Sequence, residues 1–120
     1  MPRKPIGEKE KIKVESYLKT YALNKKLLRL EKYCRDFLAD DIDDAEKHLM
    51  NEIPLARAKM FEVRHFILEM PNSDEKLFLY YHYIKEESTE KCADLLGISR
   101  RSAFRMRHRA LELASERFNA

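Results

Sequence analysis

The chain of 120 residues has no tryptophan, only two glycines, four prolines and two cysteines. So few glycines and prolines leave little material for the tight turns of a many-stranded sheet, and helices are expected instead. Cys34 and Cys92 are too few and too far apart for a disulfide framework, and they lack the CxxC spacing of a zinc site. Both read as buried thiols. His48, His65, His82 and His108 never pair at i and i+4, and the acidic run Asp40, Asp41, Asp43, Asp44 lacks the central glycine and closing glutamate of a calcium loop. No metal is expected. No stretch approaches the roughly 18 uninterrupted apolar residues of a membrane span, and the opening MPRKPIGEKEKIK has no signal-peptide core, so a cytoplasmic protein is expected. A phosphate loop, a nucleophile beside a base and pocketed paired carboxylates are also missing, so neither an enzyme nor a cofactor is expected.

What is present is 44% hydrophobic and 38% charged, the balance of a folded chain. The length fits one ordinary domain, or two small helical units sharing a core. The expected fold is all-α. Residues 1–7 read as a flexible tail. From Glu8 to about Ala39 there is no glycine or proline, and Val14, Tyr17, Leu18, Tyr21, Leu23, Leu27, Leu30, Cys34, Phe37 and Leu38 predict one long amphipathic helix. The acidic tetrad interrupts it, and Asp43 or Asp44 can cap the next helix.

Leu49, Ile53, Ala56, Met60, Val63, Ile67 and Met70 then recur at alternating steps of four and three, a heptad-like seam. Pro54 lies inside it, which predicts a short helix ending near Asn51 and a new one with Pro54 in its first turn. Residues 8–70 thus form a broken helical hairpin. Its stripes can pack within one chain or dimerise, and the sequence leaves both open. Pro71 stops the second segment, and Asn72 with Glu75 has capping-box spacing for a third helix through Leu77, Phe78, Tyr81 and Ile84. The aromatic cluster Phe78, Tyr80, Tyr81 and Tyr83 reads as core.

Residues 88–111, STEKCADLLGISRRSAFRMRHRAL, carry the function. Ser88 can cap a short helix, Gly97 supplies a left-handed turn and Ser99 can cap the helix after it. With Thr89 as the first position of a helix-turn-helix, the fourth, fifth, eighth, ninth, tenth, fifteenth and eighteenth positions are Cys92, Ala93, Leu96, Gly97, Ile98, Ala103 and Met106. All fit its steric needs. The whole chain carries a formal charge of +3, yet Ser99 to Leu111 holds Arg100, Arg101, Arg105, Arg107 and Arg109 with no acid. Arg100, Arg101 and Arg105 project together from its first turns, where arginine can donate two hydrogen bonds to guanine in the major groove. Ser88 and Thr89 at the first helix N-terminus, with Ser102 and Arg107, are assigned to the phosphate backbone.

Residues 72–114 resemble region four of sigma-70-type sigma factors, above all in ADLLGISRRSAFRMRHRALELA. The resemblance implies that residues 71–120 form a helix-turn-helix DNA-binding domain of the winged-helix-like superfamily. It also implies base contacts at Arg100, Arg101, Phe104 and Arg105, and a backbone contact at Arg109. Phe104 can touch a thymine methyl or turn back to pack. The chain departs from this family at Glu86, where a glycine is common. Its layout, with the YLKTY and YYHYIKEESTEKCADLLG segments, is also similar to small prophage regulators of the ArpU/RinA late-gene type. Together these imply a sequence-specific regulator of double-stranded DNA, a phage or prophage late-gene activator, with RNA polymerase and a second copy as further possible partners. The alternative is a sigma-like module that binds RNA polymerase or another regulator with little DNA contact.

Overall fold

The computed structural model describes residues 7–37, 43–44, 47–48, 51 and 53–119. The protein is all-α. Helix α1 spans Glu8–Phe37, α2 Ile53–Leu68, α3 Asp74–Leu79, α4 Thr89–Leu96 and α5 Arg100–Phe118, with a π-helical turn over Tyr80–Ile84 between α3 and α4. None of the described helices is long and apolar enough to cross a membrane.

Absence of glycine and proline lets α1 run for 30 residues. Tyr17 meets Phe66 at 5.3 Å between ring centroids, while Leu28 lies across a groove from Arg57 and Met60. The two helices therefore run antiparallel, and α2 turns its predicted seam inward. Ile53, Ala56, Val63, Ile67 and Met70 are buried and Met60 is partly so, whereas Leu49 lies outside the described residues. A helical bond from the Asn51 N–H to the Lys47 carbonyl closes the preceding turn, and α2 starts at Ile53 with Pro54 in its first turn. That is the break Pro54 predicts, since its missing N–H costs nothing there.

Along α1, Val14, Leu18 and Cys34 are buried, but Leu23 is 59% exposed and Asn24 only 5%. Asn24 tolerates this burial by donating its Nδ2 to the Thr20 carbonyl at 2.7 Å. Predicted elements at Leu38, Ala39 and Asp40–Ile42 lie outside the described residues.

The region after Pro71 differs from expectation in two ways. Ser73, not Asn72, caps α3, its hydroxyl accepting from the Lys76 N–H, while Asn72 Oδ1 accepts from Lys76 Nζ at 2.9 Å. The single helix expected through Leu77, Phe78, Tyr81 and Ile84 instead winds into the π turn. Phe78, Leu79, Tyr83 and Ile84 are the buried residues, while Leu77 is 43% exposed. With i→i+5 bonding the turn is wider than an α-helical one, which brings residues five apart toward one side, so Phe78 and Tyr83, then Leu79 and Ile84, all face the core.

These residues join Val14, Leu18, Val63, Ile67, Cys92, Met106, Ala110, Leu111 and Ala114 in one core. That core runs without interruption from the hairpin into the C-terminal helices. Away from it, the later half of α1 and the early half of α2 extend as an arm, and the chain measures 59 × 31 × 23 Å.

Glu86, just beyond the π turn, has φ 57°, the one positive φ among described non-glycine residues. A β-carbon there costs about 1–2 kcal/mol, partly offset on substitution by the greater unfolded-state freedom of glycine. Glu86→Gly should therefore raise stability by about 0.5–1 kcal/mol, even with loss of the exposed Lys25–Glu86 ion pair at 3.5 Å. Urea unfolding midpoints would read the change, and a lower midpoint would contradict it.

Candidate nucleic-acid interface

The α4–turn–α5 unit is built by three local devices that the sequence announces. The Ser88 hydroxyl accepts from the Lys91 N–H at 3.1 Å, and the Ser99 hydroxyl from the Ser102 N–H at 3.1 Å. Between them Gly97 sits at φ 68°, left-handed, where any β-carbon is strained even with open space around it. The N–H of Ile98 then bonds back to the Ala93 carbonyl at 3.0 Å, closing the end of α4. Cys92, Ala93, Ala103 and Met106 are buried, and Leu96 and Ile98 pack on the core. Burial pushes the Cys92 thiol up to about 11, with the Glu87 carboxylate nearby adding to the shift, so it stays protonated at neutral pH.

Ala103, Met106, Ala110, Leu111 and Ala114 fix the inward side of α5. The opposite side of its first three turns presents Arg101, Phe104, Arg105 and His108, spaced as neighbours on one helical face, with Arg100 at its N-terminal edge. All five are exposed, and Phe104, at 49%, stays out of the core rather than turning back to pack. Among the described residues Arg100, Arg101 and Arg105 make no ion pair, so their guanidinium donors face solvent unpaired.

The other two arginines are placed differently. Arg107 turns toward α1, where its Nη2 meets Glu15 Oε2, the same oxygen that accepts from the Tyr83 hydroxyl. Arg109 remains largely exposed but reaches back to Glu75 Oε1 at 3.3 Å, at the start of α3. Two of the arginine charges on this stretch are thus answered by carboxylates of the same molecule. Burial opposes the Glu15 charge, but the Tyr83 hydroxyl, Arg107 and Lys19 outweigh it and hold its carboxyl below the usual range. Burial first, then the bond to Glu15, drives the Tyr83 phenol well above its ordinary value. Burial also lowers His82, whose Nδ1 lies 2.7 Å from the Glu87 carbonyl and whose ring stacks on Phe78.

No family model, curated protein or solved structure matches this chain. The site's chemistry therefore stands on its own residues.

Of the residues assigned to phosphates, Ser88 is exposed at the N-terminus of α4, whereas Thr89 is buried and has little but its backbone to offer. Ser102 is exposed, its hydroxyl accepting from the Ser99 hydroxyl at 2.9 Å. His108 is a member of this face that sequence reasoning missed, although its place seven residues after Arg101 is a usable signal. Among the described residues, no group of three His, Cys, Asp or Glu could hold a metal ion. What this surface offers is a narrow cationic face with one exposed aromatic ring, on a rigid helix beside a short second helix.

Proposed function

We propose that the protein is a sequence-specific double-stranded DNA-binding transcriptional regulator that inserts the N-terminal half of α5 into the major groove. The observation that carries this reading is the unpaired trio Arg100, Arg101 and Arg105, held on one exposed face by two capped helices and a left-handed glycine turn. An ordinary solvated helix mixes charge signs, as α1 does with its Glu31–Arg35 pair. Arg100, Arg101 and Arg105 instead carry donors with no ion-pair partner among the described residues, which suits guanine edges and phosphates. Phe104 adds an apolar contact suited to a thymine methyl. Ser88, Ser102 and the N-terminus of α4 would meet the backbone. The sigma region four resemblance and the late-gene regulator layout support the same assignment.

Duplex affinity measured across a salt series tests this. Neutralising about three to five phosphates gives a log–log slope of roughly −3 to −5. A flat response would remove the electrostatic basis of the proposal.

A further inference from the structure

Helix α2 carries two apolar stripes, and α1 covers only one. On the side opposite Ala56, Val63 and Ile67, the residues Pro54, Ala58, Phe61, His65 and Leu68 recur at steps of four, three, four and three. That is the a/d spacing of a two-stranded coiled coil. At about 100° per residue, this second stripe lies roughly diametrically across the helix from the buried one. Phe61 is 55% exposed and Leu68 44%, Pro54 and Ala58 are exposed, and the His65 ring packs against Phe61 in a tilted contact with centroids 3.9 Å apart.

The charges beside this stripe specify what covers it. With Pro54, Phe61 and Leu68 as d positions and Ala58 and His65 as a, the g positions are Arg57 and Arg64, and two of the e positions are Glu62 and Glu69. In a parallel pair each g residue faces the e residue five positions later on the other helix, so Arg57 meets the partner's Glu62 and Arg64 meets the partner's Glu69. An antiparallel pair would instead set arginine against arginine and glutamate against glutamate. Among the described residues Arg57, Glu62 and Arg64 form no salt bridge, and Glu69 gives only Oε2 to Arg117, at 2.8 Å. Two heptads are too short to form a helix alone, but α2 is already folded against α1, so association need not supply the cost of ordering it.

We infer that the outer face of α2 is a self-association surface. It pairs two copies in parallel through Phe61, His65 and Leu68, with Arg57 and Arg64 against the partner's glutamates. Because the C-terminal end of α2 adjoins α5 through Glu69 and Arg117, a parallel pair sets both C-terminal units at the same end of the dimer. The surface stands on α2 alone and does not rest on the DNA reading. A dimer without duplex affinity would remove the proposed function and leave this inference in place.

Sedimentation equilibrium of the full chain, from low to high micromolar concentration, should show a reversible monomer–dimer equilibrium. R57E/R64E and E62R/E69R should each weaken self-association by at least about tenfold, and an equimolar mixture of the two should restore a dimer containing one of each. Circular dichroism of each variant checks that its helices are intact. Ala58→Cys under mild oxidation should give a disulfide-linked dimer, since a parallel pair brings both substituted positions into one layer, while Cys34 and Cys92 are buried. A monomer at every concentration, a dimer indifferent to both charge variants, or a dimer that Ala58→Cys fails to cross-link would each overturn the inference.

Discussion

Replacing Arg101 and Arg105 together with alanine should cost about 2–6 kcal/mol of binding to a preferred duplex, with a much smaller loss on unrelated sequences. Each bidentate arginine–guanine contact contributes roughly 1–3 kcal/mol of discrimination, and the two side chains lie one turn apart on the exposed face of α5. Neither has a carboxylate partner among the described residues, so removal leaves no buried charge behind and the fold should be unaffected. A preferred site can be selected from random duplexes, and competition between it and a scrambled duplex then reads the difference. Equal losses on both would demote these arginines to phosphate contacts. Arg107→Ala should behave differently, because its guanidinium serves Glu15. Its effect should fall first on stability.

Phe78→Ala should destabilise the protein by about 3–5 kcal/mol, the range for emptying a fully enclosed aromatic site. The Phe78 ring is completely buried and stacks on His82 in the core that joins α1, α2 and the C-terminal helices. Small domains hold only about 5–15 kcal/mol in total, so much of the molecule's stability would go with one side chain. Urea unfolding monitored by circular dichroism measures it. The adjacent Leu77→Ala, at an exposed position, should change stability by less than about 0.5 kcal/mol. Similar losses at both positions would mean that the π turn does not direct the core as described.

Local chemistry makes the turn motif legible in the sequence. Ser88, Gly97 and Ser99 act through their own or the next few residues, and Ala93, Ala103 and Met106 have a steric role fixed by spacing. The all-α class follows from long stretches without glycine or proline, and the Pro54 break from a missing N–H. What stays hidden depends on partners far along the chain. Glu15 is 92 residues from Arg107 and Arg109 is 34 from Glu75, so a count of arginines overstates the free charge on α5. The π turn is hidden because Leu77, Phe78, Tyr81 and Ile84 also fit a period of 3.6. Asn24 is hidden because a buried amide bonded to its own helix leaves no apolar signature. At Glu86, by contrast, a residue that departs from the sigma region four pattern stands where the backbone is left-handed.

The continuous core also bears on how such a chain could be inherited. Hydrophobic patterning invites a cut near Pro71, between a hairpin and a C-terminal unit, as though that unit could be exchanged like a cassette. Val14 and Leu18 of α1 share one interior with Phe78, Tyr83 and Leu111, and Glu15 clamps Arg107 across the same boundary. A recombination breakpoint there would strip both halves of their interior. Arm and C-terminal unit are therefore expected to descend as one piece, with changes in the exposed cationic face confined to the outward residues of α5.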